Sequence, residues 1–283
     1  MALSPGTVSK ILWHFTGGPR WNSEARQQES DPKPREDAYA ALLSILNSKE
    51  LRVGSCQEVV KVRVPVRRRF DSTANRMVEE LDSLITLISA PVCCVADIPI
   101  AHLAYHAERY GKVAVGFHRE AVLKAGFNPV FYTLHDTSVL QNLYQGLAQL
   151  EDVDVDSLES VADELGEVEC GYGHQVDVSS SHALYEVRIG ADMIKDGVKQ
   201  AMANFDEVLA FVKSFERNEF QTIYCEREWR SISAFGFSYS DVAMIVLPKQ
   251  DGDYFSRFSS EDSVTLSVPR SLPIVPWEDL VEH

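Results

Sequence analysis

Apolar and polar residues follow two different periods along this chain, and the changes between them mark its elements. Residues 9–15 read as a short strand ending at His14-Phe15-Thr16-Gly17-Gly18, where the glycines let the backbone turn sharply or approach a ligand. Residues 19–36 are polar with three prolines and predict a long mobile loop. Asp37 then caps a helix whose stripe is Tyr39, Leu42, Leu43, Ile45 and Leu46, ended by Asn47-Ser48, with a strand following at 51–53. Met77, Leu81, Leu84 and Ile85 recur at helical spacing and predict a helix over 74–89, before a buried strand at 91–96. A helix from His102 stops at Gly111, and a strand follows over 112–117. A short helix over 119–125 ends at Gly126, with a further strand at 129–132. Helical patterns dominate 137–150 and 192–215, whereas 171–187 reads as a hairpin or an irregular insertion. Strands near 222–233 and 241–247 close the sheet. This order predicts one α+β domain over residues 1–283, with a mixed or antiparallel central sheet, flanking helices and a helical insertion at about 137–215.

Composition narrows the class. A chain of 283 residues with 45% hydrophobic content has the make-up of an ordinary folded protein. It has no run of about 18 uncharged apolar residues, and its start lacks a basic segment followed by an apolar one, so a cytoplasmic location without membrane contact is expected. Five cysteines with no CxxC pair argue against a disulfide framework or a cysteine-rich zinc site, and Cys93 and Cys94 fall in an apolar run that predicts buried, inert thiols. His102 and His106 are four apart on a predicted helix, but the glutamate of a zinc-protease helix is missing between them.

A net charge of −15 disfavours general binding to duplex DNA. That charge is uneven. Lys61, Arg63, Arg67, Arg68 and Arg69 form a basic block, and residues 151–169 form an acidic one. Such blocks are ordinarily solvated faces. The functional alternatives are a phosphate-contacting edge for the first and a partner-binding or self-shielding surface for the second.

The densest chemistry lies at Tyr224-Cys225-Glu226-Arg227-Glu228-Trp229-Arg230. In an extended strand Tyr224, Glu226, Glu228 and Arg230 share one face. Two readings stay open: Arg230 neutralises a glutamate on a sheet face, or one glutamate is held by its neighbours for chemistry.

Three blocks together carry a resemblance. They are residues 12–18, LWHFTGG; residues 94–100, CVADIPI, with His106, Tyr110-Gly111, Gly116-Phe117 and Asn128-Pro129-Val130-Phe131-Tyr132; and Glu226-Arg227-Glu228-Trp229-Arg230. In order and spacing they resemble the AbiGi-type abortive phage resistance family. Val95 stands where members usually have Phe, and Cys225 where an acidic residue is frequent. The resemblance implies a defence protein, and the family's antitoxin label implies a cognate toxin or a phage protein as partner. His-Phe-Thr at the end of a first strand, a helix before Glu50-Leu51 and a late-strand glutamate are also similar to ADP-ribosyltransferases of the DarT-like kind. That likeness implies NAD as substrate and a nucleic-acid or protein acceptor. Glu228 would stabilise the oxocarbenium-like ribose formed as nicotinamide leaves, and Glu226 would orient or deprotonate the acceptor. His14 would bond a ribose hydroxyl, Phe15 and Thr16 would line the nicotinamide edge, and Tyr39 would stack on its ring. Arg230, Arg67, Arg68 and Arg69 would bind the substrate, the last three meeting the phosphates of a nucleic-acid acceptor. The alternative reading is a non-catalytic antitoxin or sensor that keeps the fold.

Overall fold

Leu12 and Trp13 are both almost completely buried, and adjacent residues of a strand point to opposite faces, so this segment has to be covered on both sides. In the computed structural model it is the middle strand of a seven-stranded sheet. The structure describes residues 9–281 apart from 23, 26, 55, 72, 152, 154–156, 158–159, 161–177 and 251. In chain order the first strands are β1 (Ile11–Phe15), β2 (Trp21–Asn22), β3 (Gln27–Gln28), β4 (Glu50–Leu51), β5 (Gln57–Asp71), β6 (Arg76–Pro91), β7 (Cys93–Ala96) and β8 (Ala114–His118). They are followed by β9 (Asn128–Pro129), β10 (Phe131–Leu134), β11 (Val212–Phe215), β12 (Glu228–Ser231), β13 (Phe235–Gly236), β14 (Val242–Leu247) and β15 (Ile274–Pro276). The helices used below are α1 (Arg35–Ser48), α2 (Leu103–Tyr110), α3 (Arg119–Lys124) and α4 (Ser138–Glu151).

The sheet runs β15-β14-β8-β1-β7-β12-β9. Its pairs are antiparallel except β14 with β15, which makes it mixed within an α+β chain. One face carries Leu12, Val95, Val115, Phe117, Ile245 and Leu247 and packs on Tyr39, Leu42 and Leu46 of α1. The other carries Trp13, Phe15, Ala96, Ala114 and Val246 and packs on Leu103 of α2 and on Trp277. Gly116 lies opposite Trp13, and a Cβ there would come within 2.9 Å of the indole, so its lack of a side chain makes room for Trp13. The Trp13 ring nitrogen donates to the Ile98 carbonyl at 3.0 Å.

Two compact units result, one from Met1–Lys61, Thr86–Leu134 and Leu209–His283, the other from Val62–Ile85 and His135–Val208. The first holds the seven-stranded sheet. The second holds α4, nearly all of the helix Val178–Leu209, and the distal part of the β5–β6 hairpin.

Several expectations are corrected. Residues 74–89 are not helical but form most of β6, paired with β5. Val60, Val62, Val64 and Val66 alternate in β5 and select an extended partner, which overrides the helical spacing of Met77, Leu81 and Leu84. Those three side chains are exposed. The helix expected over 192–215 starts earlier and stops at Leu209, so 212–215 is strand β11, parallel to β10. The expected strand 129–132 is two short strands in different sheets. The loop over 19–36 contains the small β2–β3 pair, and α1 begins two residues before Asp37. Of the ambiguous stretch 171–187, positions 178–187 are helical and 171–177 lie outside the described residues. So does most of the acidic segment 151–169.

Candidate functional site

The expected strand over 222–233 is interrupted. Phe220–Tyr224 is a short helix, and Arg227 adopts φ +43°, a left-handed conformation that ends any extended run. Strand β12 therefore begins at Glu228, with Glu228 opposite Ala96 and Arg230 opposite Cys94. Glu226 sits in the preceding turn. The two glutamates are brought together by a shared cation, Lys213 of β11, rather than by strand alternation.

Around Lys213 three carboxylates meet three cations. Lys213 donates to Glu226 and, at 3.3 Å, to Glu228. Arg230, whose side chain is only 2% exposed, donates to Glu228 at 2.7 Å, to Glu58 of β5, and to the Ala210 carbonyl at 2.8 Å. The other Glu226 oxygen accepts from Arg109 at 2.9 Å and from the Tyr110 hydroxyl at 3.3 Å. Arg109 reaches on to Gln28 at 2.9 Å, and the Glu228 amide donates to the Tyr132 hydroxyl at 2.7 Å. Glu58, Glu226 and Glu228 are thus balanced by Lys213, Arg230 and Arg109 with no charge left over.

Electrostatics follow from this balance. Burial opposes ionisation of Glu228, but the adjacent Arg230 and Lys213 win and hold its carboxyl well below the ordinary glutamate range. Burial also opposes the charged forms of Lys213 and Arg230, and their carboxylate partners hold both protonated. The Cys94 thiol, on the same sheet face, is pushed up by burial and by Glu228, and Cys93 is pushed up by burial alone, so neither supplies a thiolate nucleophile near pH 7. His106 of α2 falls to about 4, chiefly through burial, and stays neutral.

The other residues singled out from sequence are distributed differently. His14 pairs with Val115 in β1–β8 register, on the α1 side of the sheet, whereas Glu228 shares the opposite side with Ala96 and Trp13. The two side chains therefore lie on opposite faces. His14 Nδ1 bonds the Cys94 carbonyl at 2.9 Å, and burial lowers its pKa. Thr16 donates to the Ala38 carbonyl at 2.7 Å and so ties the end of β1 to α1. Tyr39 is in the α1-side core, 4.9 Å from the Tyr254 ring, with its hydroxyl on Asp262 at 2.6 Å. Phe15 alone of this group is on the Glu228 face, with its ring 4.8 Å from that of His106. Gly17 and Gly18 make their close approach to α2: a Cβ on either would lie 2.8 Å from Tyr110. Arg67, Arg68 and Arg69 lie on β5 in the second unit.

Beside the charged group is a pocket of about 280 Å³. Tyr105, His106, Arg109 and Tyr110 of α2 line one side, Cys225 lies near the other, and Glu226 is at its wall. Sequence reasoning missed Lys213, Glu58 and Arg109, and took in Tyr110 only as part of the family resemblance. The valine alternation in β5 was the available signal for Glu58, while Lys213 was hidden in an apparent helical continuation. Among the described residues no three His, Cys, Asp or Glu side chains group as metal ligands would, and no helix is long and apolar enough to cross a membrane.

Comparison with known families bears out the first resemblance. The profile described as "Putative abortive phage resistance protein AbiGi, antitoxin" matches residues 57–256, well over half the chain. The chain belongs to the AbiGi family. The matched region of this AbiGi protein takes in Glu58, Arg109, Lys213, Glu226, Glu228 and Arg230, all of the charged group. It leaves out β1, with His14, Phe15 and Thr16, and α1, with Tyr39. No curated protein and no solved structure matches the AbiGi chain.

Proposed function

We propose that this AbiGi protein acts in abortive phage resistance as the antitoxin partner of a cognate toxin, and that its glutamate–arginine group serves the fold. The family description supports the partner role. The observation that carries the structural role is the saturation of Glu228, held between Arg230 and Lys213 in a neutral, buried group. A carboxylate that stabilises a developing oxocarbenium ion has to face the sugar, and Glu228 faces two cations of its own chain. The separation of His14 and Tyr39 from Glu228 by the sheet points the same way.

The test is co-expression with a candidate cognate toxin. Restored growth and a stable complex on size exclusion, with no nicotinamide released from NAD by the purified chain, are the expected results. Nicotinamide release that is lost in Glu226→Gln would overturn the reading.

A second reading, ADP-ribosyl transfer from NAD to a nucleic-acid or protein acceptor on an ADP-ribosyltransferase-like fold, has one observation in its favour. The 280 Å³ pocket has Glu226 at its wall beside the Tyr110 hydroxyl and the neutral His106 ring. On this reading Glu226, rather than Glu228, meets the substrate. Arg67, Arg68 and Arg69 would serve a nucleic-acid acceptor, and replacing all three by glutamine would flatten the salt dependence of modification.

A further inference from the structure

Between β11 and the charged group the chain presents a row of four rings. Phe215 contacts Phe220 at 5.8 Å, Phe220 stacks on Tyr224 at 5.2 Å with 13° between planes, and Tyr224 meets Tyr132 edge-on at 5.4 Å. Phe215 is buried and roots the row, whereas Phe220 and Tyr224 are 50% and 51% exposed. The short helix Phe220–Tyr224 sets the spacing, since positions four apart share one helix face. The far end is fixed as well, because the Tyr132 hydroxyl accepts from the Glu228 amide. Two aromatic rings half in water are an ordinary occurrence singly. Stacked in parallel and anchored at both ends, they make a preformed flat surface.

The charge around this surface selects its occupant. Glu216 and Glu219, both exposed, form a reciprocal capping box beside the row with the exposed Arg217 between them, which leaves one net negative charge there, and the chain as a whole carries −15. Such a field repels the phosphates of a nucleic acid that would otherwise stack its bases on the rings. It attracts a guanidinium, which lies flat on an aromatic face and donates hydrogen bonds to carboxylates at the rim. The geometry points to the Phe220–Tyr224 stack as the docking surface for an arginine-bearing segment of a partner protein. This rests on the antitoxin reading only for the identity of that protein.

The experiment uses the full chain and a fluorescein-labelled peptide of alternating glycine and arginine, with citrulline-for-arginine and lysine-for-arginine versions and an oligothymidylate as competitors of other chemistry. Anisotropy should show the arginine peptide binding about tenfold more tightly than the citrulline one, in proportion to a desolvated cation–ring contact. The double variant Phe220→Leu/Tyr224→Leu keeps apolar volume and removes both ring faces. It should lose about tenfold in arginine-peptide affinity with little change in melting temperature. If that variant unfolds, Tyr224→Leu alone gives the same comparison against Tyr224→Phe, which should bind like the parent. Equal binding by the leucine variant, equal binding of lysine and arginine peptides, or tighter binding of oligothymidylate would each overturn the proposal. None of these results touches growth rescue by the toxin co-expression test, so the two readings fail separately.

Discussion

Replacing Glu228 by Gln keeps the shape of the side chain and removes its charge, which takes the buried group from neutral to a net excess of one positive charge. Arg230 is 2% exposed and Glu228 15%, so water cannot make up the difference. Breaking a buried pair of this kind by removing one partner costs about 3–5 kcal/mol. For a chain of this size that corresponds to a fall of about 10 °C in melting temperature. Glu228→Gln/Arg230→Gln restores neutrality and should cost less than the sum of the single changes, with a coupling of about 1–3 kcal/mol in a double-mutant cycle. The pH dependence has a definite sign. The folded pKa of Glu228 is depressed, so its contribution is fully present above the ordinary value of 4.5 and is lost as pH falls below it. Differential scanning calorimetry between pH 7 and pH 3 should therefore show parent and Glu228→Gln converging towards acid. A melting temperature unchanged by Glu228→Gln at pH 7 would refute the structural assignment.

Other expectations concern neighbouring elements. His106 is held neutral with its pKa lowered to about 4 from 6.5, so its contribution is complete above pH 6.5 and falls away towards pH 4; His106→Gln should flatten the melting-temperature profile across that window. His14→Ala should destabilise by about 1–3 kcal/mol, since it leaves the Cys94 carbonyl short of a partner, and should leave any NAD affinity measured by titration calorimetry unchanged. Gly17→Ala drives a Cβ to 2.8 Å from the Tyr110 carbonyl, a backbone atom that cannot swing away, and should cost about 1–3 kcal/mol in chemical denaturation.

Much of the sheet was legible because its strands are short and continuous in sequence. β1, β7, β8 and β14 each announce themselves as brief apolar runs, and α1 and α2 by their stripe and their stop. The hairpin strand β6 was misread because Met77, Leu81 and Leu84 imitate a helical face while remaining in solvent, and only pairing with β5 tells the two apart. The candidate site was legible in its residue types but not in its assembly. Glu226, Glu228 and Arg230 stood out, yet the left-handed turn at Arg227 and the arrival of Lys213 from β11 depend on tertiary packing. His14 looked like a partner of Glu228 because sequence does not reveal which side of a sheet a residue occupies until the registers on both flanks are known.

The ion pair between Arg230 and Glu58 joins residues 172 positions apart, and Arg109 meets Glu226 across 117. Closing loops of that length is entropically costly before any contact rewards it, so these bonds belong to the last stage of folding. Until then each of the six charged groups remains hydrated, and a half-assembled chain that buried some of them without the rest would strand an ion in a poor solvent. The group thereby acts on time order as well as on stability: it penalises premature collapse around β12 and closes only when β5, α2, β11 and β12 have all arrived. Interactions made so late stabilise the native state without speeding its formation, so their effect falls on the rate of unfolding and on how long the finished molecule lasts.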